Sequence, residues 1–97
     1  MDARINKIII DFLKPFSPNE IGVFGSYARG EMTEESDIDI LYSSNKNFSL
    51  LDLAKIKLDL EEKLKCSVDF VSKKGLNKWI KPYILNDLKI IYSDGKE

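Results

Sequence analysis

There is no histidine among the 97 residues of this chain. That removes serine–histidine and cysteine–histidine nucleophile pairs, and any zinc centre held by imidazole. There is one cysteine, Cys66, so no internal disulfide can form, in keeping with a reducing cytosol. Cys66 falls where a helix runs into a strand and reads as a small buried hydrophobe. With imidazole absent and thiol scarce, a bound metal would need oxygen ligands, which points to magnesium or manganese. No apolar run approaches the ~20 residues that span a bilayer, and Met1-Asp2-Ala3-Arg4 lacks a signal-peptide pattern. The expected location is therefore cytoplasmic, with no membrane association. Lys and Arg number 15 against 16 Asp and Glu, a net charge of -1, so no broad cationic face for DNA is expected. Neither internal repeats nor low-complexity segments are visible.

What is present fits one soluble domain spanning residues 1–97, with 43% hydrophobic and 32% charged residues. Ile5, Ile8, Ile9, Phe12, Leu13 and Phe16 recur at helical spacing, with Asp2 as N-cap and Pro15 and Pro18 closing the segment. Residues 20–24 read as a short buried strand ending at Gly25-Ser26, and residues 26–30 as one helical turn stopped by Gly30. Asp37 to Tyr42 is the second strand, with Asp37, Asp39 and Leu41 on one face and Ile38, Ile40 and Tyr42 on the other. A polar loop follows over 43–47.

Residues 49–65 read as a helix with Leu53, Ile56, Leu60 and Leu64 as its stripe and Leu50 and Leu51 at its start. Ser49 and Asp52 form a weakened capping box there. Residues 67–72 are a third strand and 73–75 a turn. Residues 76–87 read as a helix interrupted by Pro82, and 89–92 as a last strand. Trp79, Ile80, Tyr83 and Ile84 form an apolar stripe that reads as core or partner interface. The class is α/β (α+β), a small mixed sheet covered by helices. The helical link between the second and third strands makes them parallel neighbours, and the short link between the first two favours an antiparallel pair.

Two elements carry chemistry. Asp37 and Asp39 emerge from one face of a strand, and Asp69 joins them if its strand is the neighbour. Three adjacent carboxylates repel one another unless a divalent cation sits among them. Gly25-Ser26 ends a buried strand and opens a helical turn, where backbone N–H groups and a hydroxyl can receive phosphate. Arg29 can bind phosphate or pair with Glu31, Glu34 or Glu35, and Ser36 can cap or orient the Asp pair. Tyr27 either packs or presents its hydroxyl outward.

Gly25-Ser26-Tyr27-Ala28-Arg29-Gly30, then Ser36-Asp37-Ile38-Asp39-Ile40, then a distal Asp69, together resemble the minimal nucleotidyltransferases of the DNA polymerase β-like superfamily. Within it the pattern is most similar to MNT antitoxins that pair with HEPN-domain toxins. The resemblance implies the polymerase β-like fold, with Gly25 and Ser26 holding the triphosphate of ATP. It implies Asp37 and Asp39 as ligands to two Mg²⁺ ions (or Mn²⁺), with Asp69 completing the site and helping to deprotonate the acceptor. The implied reaction moves AMP to a tyrosine of a HEPN RNase toxin and releases pyrophosphate. Two alternatives stay open: an antitoxin that neutralises its partner by binding alone, and a subunit that modifies a small molecule or tRNA end.

Overall fold

Asp2 opens the first helix in a computed structural model that describes residues 2–95. Its Oδ1 accepts hydrogen bonds from the N–H groups of Arg4 (2.8 Å) and Ile5 (3.4 Å). Helix α1 runs Ala3–Leu13, and Lys14–Phe16 adds a 3-10 turn as Pro15 ends the α pattern. Strand β1 is Pro18–Phe24 and helix α2 is Gly25–Arg29. Strand β2 is Ile38–Ser44, helix α3 is Leu50–Leu64 and strand β3 is Val68–Ser72. Helix α4 is Lys81–Asp87 and strand β4 is Lys89–Ser93. The four strands form one sheet in the order β3-β2-β1-β4. β1 pairs antiparallel with β2 and β4, and β2 pairs parallel with β3, so the sheet is mixed as expected.

Strand alternation divides the apolar residues between two faces. On one face Ile21, Val23, Ile38, Ile40 and Val68 meet Ile9 and Leu13 of α1 and Ile56 and Leu60 of α3, the main core. On the other, Phe24 and Leu41 meet Ile84 of α4. Gly22 lies on that second face, where a β-carbon would stand 2.6 Å from Leu88 Cδ1; its bareness lets Leu88 pack against the strand. Cys66 is half-buried against the main core, and burial pushes its thiol pKa up. No helix among the described residues is long and apolar enough to cross a membrane.

Several local expectations need correction. β2 begins at Ile38 rather than Asp37 and continues through Ser43 and Ser44, expected as loop, because these two pair with Glu20 and Pro18. Pro18 starts β1 at a position where its missing N–H costs nothing. The segment 76–87 is helical only from Lys81: Asn77 Oδ1 accepts from the N–H of Trp79 (2.9 Å) and Ile80 (3.0 Å), which makes a turn. Pro82 then sits in the first turn of α4, where it opens the helix instead of breaking it. Of the Trp79–Ile84 stripe only Ile84 is core; Trp79 and Tyr83 are 74% and 78% exposed. Leu50 and Leu51 also face solvent, whereas the Ser49–Asp52 capping box forms in both directions.

Candidate active site

Phe24, the last residue of β1, pairs with Asp39 of β2, and Asp39 pairs with Asp69 of β3. Three adjacent strands thus deliver the Gly25 turn and two carboxylates to one end of the sheet. Asp39 and Asp69 share the face of Leu41 and Phe24, away from α1 and α3. Asp37 lies just before β2, exposed, two residues from Asp39. Among the described residues none of these three carboxylates accepts a hydrogen bond or forms an ion pair, while Asp2, Asp11, Glu20, Glu31, Asp52, Glu61 and Asp87 all do. Nor do three or more such groups already stand together as a metal cage.

Asp39 is the half-buried member of the set. Burial, followed by the negative charges of Asp69 and Asp37, pushes its pKa up to about 6, against a smaller downward pull from Arg29. A carboxylate held near like charges without a counterion is the donor chemistry that a hard divalent cation satisfies.

Gly25 has φ +70, and a β-carbon there would lie 2.1 Å from Asp39 Oδ2. Glycine is therefore needed twice over: for the left-handed backbone and for the room that Asp39 takes. Helix α2 begins with no side-chain cap, and the Ser26 hydroxyl has no hydrogen-bond partner among the described residues. The first turn of α2 therefore keeps its N–H donors and one hydroxyl available to an anion. Gly30, with φ 76, closes the turn, its N–H directed to the carbonyls of Ser26 and Tyr27.

The remaining candidates are placed differently. Arg29 donates from Nε to Glu31 Oε2 (2.9 Å) and from Nη1 to Asp87 Oδ2 (2.5 Å). Ser36 Oγ accepts from the Thr33 N–H at 3.0 Å and lies 3.1 Å from Thr33 Oγ1, so it shapes the acidic loop. Tyr27 packs inward at 3% exposure. Its hydroxyl lies 2.6 Å from Asn6 Oδ1 and 3.1 Å from both the Asp2 carbonyl and the Asp2 N–H, pinning α2 to the start of α1. The role of Asp87 had no sequence signal, since it lies 58 residues from Arg29.

A family model described as a nucleotidyltransferase domain matches residues 5–92. A chain of Methanocaldococcus jannaschii assigned as a protein adenylyltransferase is 41% identical over 84 residues, covering 87% of this chain and 90% of its own. Among solved structures, a toxin–antitoxin complex with AMP-PNP superposes with a TM-score of 0.85 at 22% identity, over 93% of this chain and 74% of that one. A complex of a tri-AMPylated HEPN toxin with MNT antitoxin from Shewanella oneidensis gives 0.80 at 20% identity, over 96% and 73%. These two establish likeness of fold alone, and a minimal nucleotidyltransferase structure shares it at a TM-score of 0.73 and 36% identity, over 90% of this chain and 88% of that one. With the family model covering nearly the whole chain and a relative this similar over most of both lengths, the chain belongs to the nucleotidyltransferase domain family and is a nucleotidyltransferase.

Proposed function

We propose that this chain is a magnesium-dependent protein adenylyltransferase that acts as an antitoxin, moving AMP from ATP to a tyrosine of a HEPN-type RNase toxin. One observation carries the reading: three carboxylates with no partner of their own stand beside an uncapped glycine-serine turn. What sets them apart is their convergence: Asp39 pairs with Asp69 across adjacent strands, and both Asp69 and Asp37 act on its charge. The protein adenylyltransferase assignment of the relative, and the AMPylated toxin in the similar complex, support the choice of reaction and of acceptor.

In this reading Gly25, Ser26 and Arg29 hold the triphosphate by backbone N–H, hydroxyl and guanidinium. Asp37, Asp39 and Asp69 would hold two Mg²⁺ ions, with Mn²⁺ an acceptable substitute. Bound there, the metal would neutralise phosphate charge and lower the pKa of the acceptor hydroxyl. Asp69, at the exposed outer side of the set, takes the acceptor proton. The acceptor oxygen bonds to the α-phosphorus, the bond to the bridging oxygen breaks, and pyrophosphate leaves. Ser36 keeps the acidic loop shaped so that Asp37 stays beside the site.

The 97 residues work as one domain, in the cytoplasm where ATP is available. Trp79, Ile80, Tyr83 and Leu85 leave an exposed apolar surface around α4, which supports an acceptor large enough to bring its own binding surface. The test is incubation with ATP labelled at the α-phosphate and magnesium, with and without a co-expressed HEPN partner. Label should appear on the partner and vanish with Asp39→Ala. Protection of cells from the toxin by both Asp37→Ala and Asp39→Ala would instead make the chain an antitoxin by binding alone.

A further inference from the structure

Arg29 is held from two sides. Glu31, two residues on, takes Nε, and Asp87, at the end of α4, takes Nη1. Nη2 makes no hydrogen bond among the described residues, so one end of the guanidinium fork is fixed in direction and left unspent. The Asp87 side chain is 21% exposed and that of Glu31 65%, so Asp87 is the more firmly seated partner. Its seat is itself anchored to the site. Ile84, one turn earlier on α4, packs against Leu41 and Phe24, and Phe24 is the residue directly before the Gly25 turn. The clamp is thus tied through α4 to the residue that leads into the turn.

We propose that Asp87 is a positioning residue for the nucleotide: through Arg29 it holds a guanidinium edge ready for a phosphate beside the Gly25-Ser26 turn. The inference rests on the nucleotide reading of that turn. Its physical basis is that an arginine side chain ordered before binding loses less freedom when phosphate arrives. Arg29 is close enough to the carboxylate site for its charge to be felt at Asp39.

The test is calorimetric titration of AMP-PNP with magnesium chloride into wild type, Asp87→Asn, Asp87→Glu, Arg29→Gln and the Asp87→Asn/Arg29→Gln double variant. Thermal unfolding of each confirms that it is folded. Asp87→Asn should weaken binding about fivefold in the wild-type background and less than about twofold when Arg29 is already glutamine. Asp87→Glu should restore most of the loss. An equal loss in both backgrounds would reduce Asp87 to a structural residue, and tighter binding by Asp87→Asn would make it a competitor of phosphate; either overturns the inference while the nucleotide reading stands. Absence of AMP-PNP binding by the folded wild type would remove the nucleotide reading and the inference together.

Discussion

Asp39 Oδ2 occupies the space into which a side chain at Gly25 would project, 2.1 Å from where that β-carbon would lie. The Gly25 turn and the half-buried carboxylate are thus fitted to each other. Gly25→Ala should cost about 1–3 kcal/mol through its φ of +70, and must also displace Asp39. The expected outcome is a folded protein with a lowered Tm and transfer activity reduced at least about tenfold, since a positional error of about 1 Å is costly in catalysis. Full activity in Gly25→Ala would show that Asp39 need not stay where it is.

The raised pKa of Asp39 makes stability without metal depend on pH. Its folded value of about 6 exceeds its ordinary 3.8. The folded state therefore prefers the protonated acid. That contribution is fully present below about pH 4 and is lost as pH rises through about 6. Above pH 6 the charged carboxylate destabilises the metal-free protein by about 1 kcal/mol once water screening is allowed for. Asp39→Asn should accordingly raise Tm at pH 7 without metal and leave it nearly unchanged at pH 4. Magnesium should raise wild-type Tm more at pH 7 than at pH 5, because the ligand must lose its proton to bind. An equal rise at both pH values would remove Asp39 from the metal site.

Tyr27 offers a test of scaffold against site. Tyr27→Phe keeps the buried ring and leaves Asn6 and the Asp2 backbone without their shared hydroxyl partner. A loss of about 1–2 kcal/mol in denaturant unfolding is expected. AMP-PNP affinity should be unchanged at 20 °C, since the hydroxyl points to α1 and away from the turn.

Trp79 is 74% exposed, and among the described residues its ring meets only Lys78, whose Nζ lies 5.2 Å from its centroid. Trp79→Ala should change stability by less than about 0.5 kcal/mol and leave AMP-PNP binding intact. Labelling of a co-expressed HEPN partner should fall, because a flat aromatic is the sort of residue that anchors a protein contact. Unchanged labelling would move the docking surface elsewhere.

Most of the architecture could be read from local pattern. The Ser49–Asp52 box, the Asp2 cap and the alternation in β2 are rules of neighbours within four residues, and each holds. The parallel pairing that sets Asp39 beside Asp69 followed from the helical link between their strands. Less legible were features decided at long range. Asp87 reaches Arg29 across 58 residues and Tyr27 reaches Asn6 across 21, separations at which no spacing rule applies. The 77–80 turn departs from the helical apolar pattern because Asn77 offers the backbone a local hydrogen bond that outweighs it. Leu50 and Leu51 stand in the first turn of α3 and stay largely exposed, so the helical pattern there does not mark core.

The pairing of β2 with β3 is in register from Ile38–Val68 to Tyr42–Ser72. The residues between α3 and β3 number three, Lys65 to Ser67, and Glu61 Oε2 receives the Val68 N–H at 2.8 Å. Deleting one of those three would either pull β3 by one residue or force the link to break. A pulled strand turns Asp69 toward α1 and α3 and Val68 toward water. Length in this short connector is therefore under tighter restraint than its composition: substitutions at 65–67 spare the chemistry, while a single-residue deletion removes core and carboxylate at one stroke.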